Sequence, residues 1–218
     1  MISILLPIFN GIEFIDESVN SVLDQSFKNW ELLIGINGHS ENSDVYKIAK
    51  KFEEKHSRIK VFDFYTLNNK VDTLHSLLKL SNYNWIALID IDDIWLPNKL
   101  KKQINYTDCY DIIGTNAHYI GDLDYVPLLP YYDISKFNFT DYNPIINSSV
   151  LLKKDLCKWY KEFEGFEDYE LWMRLFKNEN KFYNIPDILV RHRIHVNSNF
   201  NIKNFNERIN QLKQKYLS

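Results

Sequence analysis

The stretch Asn84-Trp85-Ile86-Ala87-Leu88-Ile89-Asp90-Ile91-Asp92-Asp93-Ile94-Trp95 constrains this chain more than any other. A brief apolar run, too short for an independent helix and rich in β-branched and aromatic residues, passes directly into three carboxylates within four positions. Such a run reads as a strand buried on both faces, as at the centre of a parallel sheet. The acids then lie at its carboxyl end, where an open α/β sheet opens onto a ligand crevice. Crowded carboxylates repel one another unless a cation compensates them. The Asp90-x-Asp92 pattern is therefore a candidate hard-metal site, with oxygen ligands suited to Mg2+ or Mn2+. A structural alternative stands beside it: Asp93, followed by Ile-Trp-Leu-Pro, has the chemistry of a helix N-cap.

The residues before this stretch repeat one rhythm. Ile2 to Ile8 is an apolar β-run ending near Pro7, which has no donor to give a ladder. Phe9-Asn10-Gly11 is a turn, and Ile12, Ile15, Val19, Val22, Leu23 and Ser26 follow with helical spacing. Trp30 to Ile36 is a second buried strand, closed by the turn Asn37-Gly38-His39-Ser40. A polar helix is expected from about Ser43 to Lys55 and a third strand from Ile59 to Phe64. Asn68-Asn69-Lys70 then leads into the helical face Val71, Leu74, Leu77 and Leu78. The sum is an α/β fold with a mostly parallel central sheet, flanking helices and right-handed crossovers. Asn10, Asn37, the 68–70 loop and Asp90 to Asp93 gather along one sheet edge, where a nucleotide can lie. Neither G-x-G-x-x-G nor a Walker loop occurs, so a diphosphate there must be held by metal and side chains rather than backbone amides.

Composition narrows the function. With 218 residues, 45% of them hydrophobic, the chain can fill the core of one domain. A formal charge of -3 gives no basic field, so nucleic acid is not an expected partner. Cys109 and Cys157 lie far apart without C-x-x-C spacing, which fits reduced thiols in a cytoplasmic setting. No apolar run reaches the roughly 18 residues of a membrane span, and Met1 to Pro7 lacks the basic segment of a signal peptide. Ser148-Ser149 falls in an expected strand without a G-x-S-x-G turn, which excludes a serine nucleophile.

Six segments together carry a resemblance. Ile4-Leu5-Leu6-Pro7-Ile8-Phe9-Asn10, Ser21-Val22-Leu23-Asp24-Gln25-Ser26, Trp30-Glu31-Leu32-Leu33-Ile34 and Leu88 to Trp95 resemble family 2 glycosyltransferases of the GT-A fold. In the second half, Phe166-Glu167-Asp168-Tyr169-Glu170-Leu171-Trp172-Met173-Arg174-Leu175 is similar to that family's E-D-x-x-L-W-x-R-L segment, and Val190 to Ser198 to its closing Y-R-x-H-x-x-S. The resemblance implies that Pro7, Phe9 and Asn10 line the base and ribose pocket, with Asp90 and Ile91 supporting the nucleoside. It implies that Asp92 binds the metal and that His195 reaches back to metal or diphosphate. Two departures stand out. Asn37 occupies the place of an Asp that reads the base, and the usual Gly and Arg of the next loop are missing, leaving Lys70 as the expected diphosphate contact.

Glu167 and Asp168 open an apolar helix, where acids complement the dipole by about 0.3–1 kcal/mol. The metal motif upstream favours a second role, with Asp168 as the general base that deprotonates an acceptor hydroxyl. Trp172 is either an acceptor platform or core. Arg191-His192-Arg193-Ile194-His195 alternates as a strand, so His195 shares a face with Arg191 and Arg193. Either a diphosphate relieves their repulsion or the strand is a solvated edge. His39, His56, His75 and His118 lack ligand spacing and read as surface or loop residues. Gly121 to Asn143 has no clean period and reads as a loop near the acceptor. Ile202, Phe205, Ile209, Leu212 and Tyr216 mark a terminal amphipathic helix whose Lys203, Arg208, Lys213 and Lys215 form a solvated face, or one able to touch an anionic membrane.

The expected protein is a single GT-A domain, with about 1–95 taking the donor and about 96–218 the acceptor. It moves a sugar from a nucleoside-diphosphate sugar, with UDP favoured, to a saccharide or glycoconjugate hydroxyl, inverting the anomeric centre with Mn2+ or Mg2+. Without the Q-x-x-R-W of processive polymerases, one sugar per event is expected. Two alternatives remain: a sugar nucleotidyltransferase, which lacks here its usual basic glycine-rich first loop, and a binding module without catalysis.

Overall fold

The computed structural model describes residues 1–195 and 205–217. The expected rhythm forms the first half: β1 (Ile2–Ile8), α1 (Ile15–Leu23), β2 (Trp30–Asn37), α2 (Asp44–Lys55), β3 (Ile59–Phe64), α3 (Lys70–Leu80) and β4 (Trp85–Leu88). The second half supplies β5 (Ile94–Trp95), α4 (Lys99–Gln103), β6 (Ile112–Gly121), β7 (Tyr132–Asp133), β8 (Leu151–Lys153), α5 (Glu167–Lys177), β9 (Phe182–Ile194) and α6 (Asn206–Leu217). The Ser43 hydroxyl and the Asn69 amide oxygen cap α2 and α3 by accepting the backbone N–H of Tyr46 and Asp72.

One sheet runs through both halves in the order β3-β2-β1-β4-β8-β6-β9-β5, with β7 paired to β9. The first four of these strands are mutually parallel. β8 runs against both β4 and β6, and β9 runs parallel to β6, so β6 and β9 point the same way as β1 to β4. The acidic strand therefore borders one parallel and one antiparallel neighbour. All six codirectional strands end at one edge, which also receives the start of β8.

The uninterrupted apolar runs follow from helices covering both faces. Alternate residues of β1 face opposite ways: Ile4 and Leu6 pack with Val19 and Val22 of α1, and Leu5 packs with Leu74 and Leu77 of α3. The second layer extends to α5, where Trp172 is wholly buried. Trp172 is core, not an acceptor platform.

Four other expectations are revised. The first helix begins as a 3-10 turn (Ile12–Phe14) after Gly11, whose φ of +86° suits glycine. Ser148 and Ser149 lie in a 3-10 turn before β8 rather than in a strand, because the Ser148 hydroxyl accepts the Asp90 N–H at 2.9 Å and its carbonyl accepts Trp95 Nε1 at 2.7 Å. β9 is no edge strand, since β6 and β5 flank it. His75 packs against the Trp159 ring and accepts the Trp159 N–H, so it is structural rather than a loop residue.

α6 docks through Phe205, Ile209, Leu212 and Tyr216. Its cations turn to the protein itself: Lys213 donates to the Asp141 carbonyl at 2.8 Å, and Arg208 lies over the Phe166 ring. Ile202 and Lys203 lie outside the described residues. Among the described residues no helix is long and apolar enough to cross a membrane.

Trp172→Ala is expected to cost about 3–5 kcal/mol of stability, the usual loss for emptying a large buried aromatic site. Urea denaturation followed by circular dichroism checks it, and an unchanged midpoint would contradict the core assignment.

Candidate active site

The side expected to take the donor is built on strand ends. Gly38, at φ +75°, lets the Phe9 ring lie against its backbone, since a Cβ there would sit 2.0 Å from the ring. The ring remains 44% exposed, and His39 Nε2 donates to the Phe9 carbonyl at 2.5 Å. Pro7 is half-buried and Asn10 exposed on the same turn. Ile91 is buried, its Cγ2 so close that a Cβ on Gly11 would meet it at 2.9 Å. Asn37 at the end of β2 is 1% exposed, yet neither Oδ1 nor Nδ2 has a partner among the described residues. A buried amide in that state carries a desolvation penalty that a complementary ligand can relieve.

The three acids after β4 occupy different environments. Burial opposes ionisation of Asp90, but Lys70 Nζ at 2.7 Å and Asn147 Nδ2 at 3.0 Å hold its pKa below the ordinary value. Burial, then the Asp93 and Asp90 charges, push Asp92 upward, and its Oδ2 lies 3.0 Å from His195 Nε2. Asp93 is wholly buried and is not a helix cap. Its carboxylate accepts His192 Nδ1 at 2.9 Å and the Arg193 N–H at 2.8 Å. Burial lowers the His192 pKa, but Asp93 outweighs it and raises the imidazole to about 9.

The cations of β9 are balanced inside the protein. Arg193 donates to the Asp92 carbonyl at 3.0 Å and pairs with Glu17 at 2.9 Å, while Arg191 is exposed. No diphosphate is needed to relieve them. Val196, Asn197 and Ser198 of the closing motif lie outside the described residues.

The Asp92 and His195 donor atoms suit a divalent ion. In this structure the two are joined by a hydrogen bond of 3.0 Å, and the carboxylate is of the kind that would hold Mg2+ or Mn2+. The raised Asp92 pKa marks negative charge that a cation would compensate. Among the described residues no three His, Cys, Asp or Glu side chains group around one point. Asp90 is committed to Lys70, so remaining ligand positions would fall to phosphate oxygens and water, as is usual for Mg2+.

The side expected to take the acceptor approaches from α5. Glu167 is buried, its Oε2 accepting the Gly165 N–H at 2.6 Å and its Oε1 lying 3.5 Å from Lys70 Nζ. Asp168 accepts Asn143 Nδ2 at 3.4 Å. Burial and the Glu167 charge raise Asp168 to about 6, against the pull of Lys70. Lys70, expected at a diphosphate, instead turns inward between Asp90 and Glu167. Sequence reasoning placed Asp93 at this edge without its partner His192, and missed Asn143, Asn147 and Ser148 as members of this site. The one available signal was the polar break Asn147-Ser148-Ser149 within the apolar run Ile145 to Leu152.

A parallel half whose strand ends carry an acidic turn, continued through one sheet into a half that adds a histidine and a raised carboxylate, has the GT-A type fold. Residues 3–161 match the family model described as glycosyl transferase family 2, and the chain belongs to that family. It is 27% identical over 211 residues to the O-antigen biosynthesis glycosyltransferase WbnJ of Escherichia coli, covering 91% of this chain and 81% of that one. It is 30% identical over 191 residues to the Escherichia coli UDP-Glc:alpha-D-GlcNAc-diphosphoundecaprenol beta-1,3-glucosyltransferase WfgD, covering 83% and 71%. Among solved structures, S. aureus TarS 1-349 in complex with UDP-GlcNAc superposes with a TM-score of 0.80 at 15% identity, over 99% of this chain and 66% of that one. The mannosyltransferase PcManGT of Pyrobaculum calidifontis, in complex with GDP-Man and Mn2+, gives 0.67 at 12% identity, over 91% and 57%. The chain thus spans under two thirds of these two structures' lengths.

Asn37→Leu removes both orphaned amide groups at similar volume and is expected to stabilise the ligand-free protein by about 1–3 kcal/mol. Urea denaturation without nucleotide checks it; a destabilised variant would mean the amide is satisfied in solution.

Proposed function

We propose that this protein transfers a sugar from a UDP-sugar to a hydroxyl of a saccharide or glycoconjugate, inverting the anomeric centre. One observation carries the reading: a carboxylate-histidine pair and a carboxylate whose pKa is raised to about 6 both stand within electrostatic reach of Asp90, at the end of the acidic strand. The UDP preference is supported by the printed donor of WfgD and the ligand of TarS, and the metal by the Mn2+ of PcManGT. A glycoconjugate acceptor is supported by the diphosphoundecaprenol-linked sugar in the WfgD name.

Residues of about 1–95 bind the donor. Phe9 and Pro7 contact the base, Asn37 meets its edge with one donor and one acceptor, and Asn10, Asp90 and Ile91 border the ribose. Asp92 and His195 hold Mn2+ or Mg2+, which when bound neutralises charge on the departing diphosphate. Residues of about 96–218 bind the acceptor. Asp168 takes the proton of the attacking hydroxyl, and a pKa near 6 leaves it ionised at neutral pH while still basic enough to do so. Attack from the face opposite the leaving group inverts the configuration, since no enzyme nucleophile intervenes.

Asp168→Asn is expected to lower kcat by about 100-fold or more while UDP binding persists. UDP release from UDP-glucose and UDP-N-acetylglucosamine, with calorimetry for UDP, separates the two. Because the base must be ionised, wild-type kcat should be level above about 6 and fall as the pH drops through that value. Asp92→Ala should abolish Mn2+-dependent UDP binding, and an unchanged titration would exclude Asp92 as the metal ligand.

A further inference from the structure

Lys70 opens α3 at the donor edge, but its ammonium is held by carboxylates from both halves of the chain. Nζ lies 2.7 Å from Asp90 Oδ1, beyond β4, and 3.5 Å from Glu167 Oε1, in the first turn of α5. A second tie joins the same segments, because the Lys70 backbone N–H donates to Glu164 Oε1 at 3.1 Å. Each carboxylate is anchored on its far side too. Asp90 is held by Asn147 and Ser148, and Glu167 Oε2 by the Gly165 N–H at a φ of +98°.

Asp90 and Glu167 thus meet at one cation, and Asp168 lies within its electrostatic reach. Three carboxylates this near would drive α5 away from the turn after β4 if nothing lay between them. We infer that Lys70 is the positioning residue of Asp168: by joining Asp90 to Glu167 it fixes the start of α5 against the acidic turn, and with it the place of Asp168, the next residue after Glu167. It rests on Asp168 being the base. Lys70 is then an internal counter-ion and not a diphosphate ligand, and Glu167 is the link through which it acts. The charged groups facing Asp168 are Glu167 and Asp90, which discourage its ionisation, and Lys70, which favours it.

The test uses the full chain with Mn2+, comparing Lys70→Gln, Lys70→Arg, Glu167→Gln and Asp168→Asn. UDP affinity is read by calorimetry, and kcat against pH by UDP release from UDP-glucose and UDP-N-acetylglucosamine. Lys70→Gln is expected to bind UDP as the wild type does but to lose about 10–100-fold in kcat, the scale of a small misplacement of a catalytic group. The acidic limb of its profile should move to higher pH, because the Lys70 charge that favours the ionised base is gone. Lys70→Arg should return the limb towards its original position. Glu167→Gln cuts the link from the other side and keeps the test alive if Lys70→Gln does not fold. It too should lose kcat at unchanged UDP affinity, with its limb moving to lower pH. UDP binding weakened tenfold or more in Lys70→Gln would make Lys70 a diphosphate ligand and overturn the inference. An active Asp168→Asn enzyme overturns the base reading and this inference with it. An inactive one beside Lys70→Gln and Glu167→Gln enzymes of undiminished kcat overturns this inference alone.

Discussion

A carboxylate sealed from water, Asp93, closes the molecule's edge. Burying such a charge is costly unless it is paired and hydrogen-bonded. Asp93 meets both conditions with the imidazole of His192 and the backbone N–H of Arg193. Both donors belong to β9, which ends a hundred residues later, so the chain must return to this point. The clamp also sets register. Ile94, next in sequence, pairs with Arg191, and Asp92, just before, meets His195 beyond the strand end. The structural clamp at Asp93 therefore also brings Asp92 and His195 together.

Around that clamp, acids of one residue type are separated into different states by neighbours alone. Asp90 has a lysine and an asparagine amide and stays readily ionised. Asp92 has burial and two other acids against it, which leaves it short of positive charge. Asp168 is raised to about 6, with burial and Glu167 outweighing Lys70. Perturbed carboxylates pushed apart in this way mark the division of labour in a site better than their sequence spacing does.

What could be read from the chain was local. Ile59–Phe64 and the β2 and α3 starts were legible because period-two and helical patterns need only near neighbours. The edge where Asn37 and Asp90 gather followed from topology, since parallel strands share a carboxyl end. The partners were not legible. Lys70 faced a diphosphate in the sequence reading because its loop did. The structure turns it inward because Glu167, nearly a hundred positions away, arrives there. Ser148 leaves its strand for the Asp90 N–H, a bond that spans 58 positions. Trp172 carried the pattern of a core residue and of a platform alike, and only the packing of α5 decides between them.

Orphaned polar atoms do not by themselves mark a binding site. The indole nitrogens of Trp30 and Trp172 are also buried without partners, and both lie in the apolar core. Asn37 differs by position. It ends a strand at the edge where Phe9 leaves its ring exposed, and it offers a donor and an acceptor side by side, as a nucleobase edge requires. An apolar residue there would pack at lower cost, so the amide lowers the stability of the empty protein. Local choices that conflict with folding concentrate where a chain is shaped for a ligand. The charge crowding at Asp92 fits the same logic, because the His195 hydrogen bond only partly offsets burial and the Asp93 and Asp90 charges.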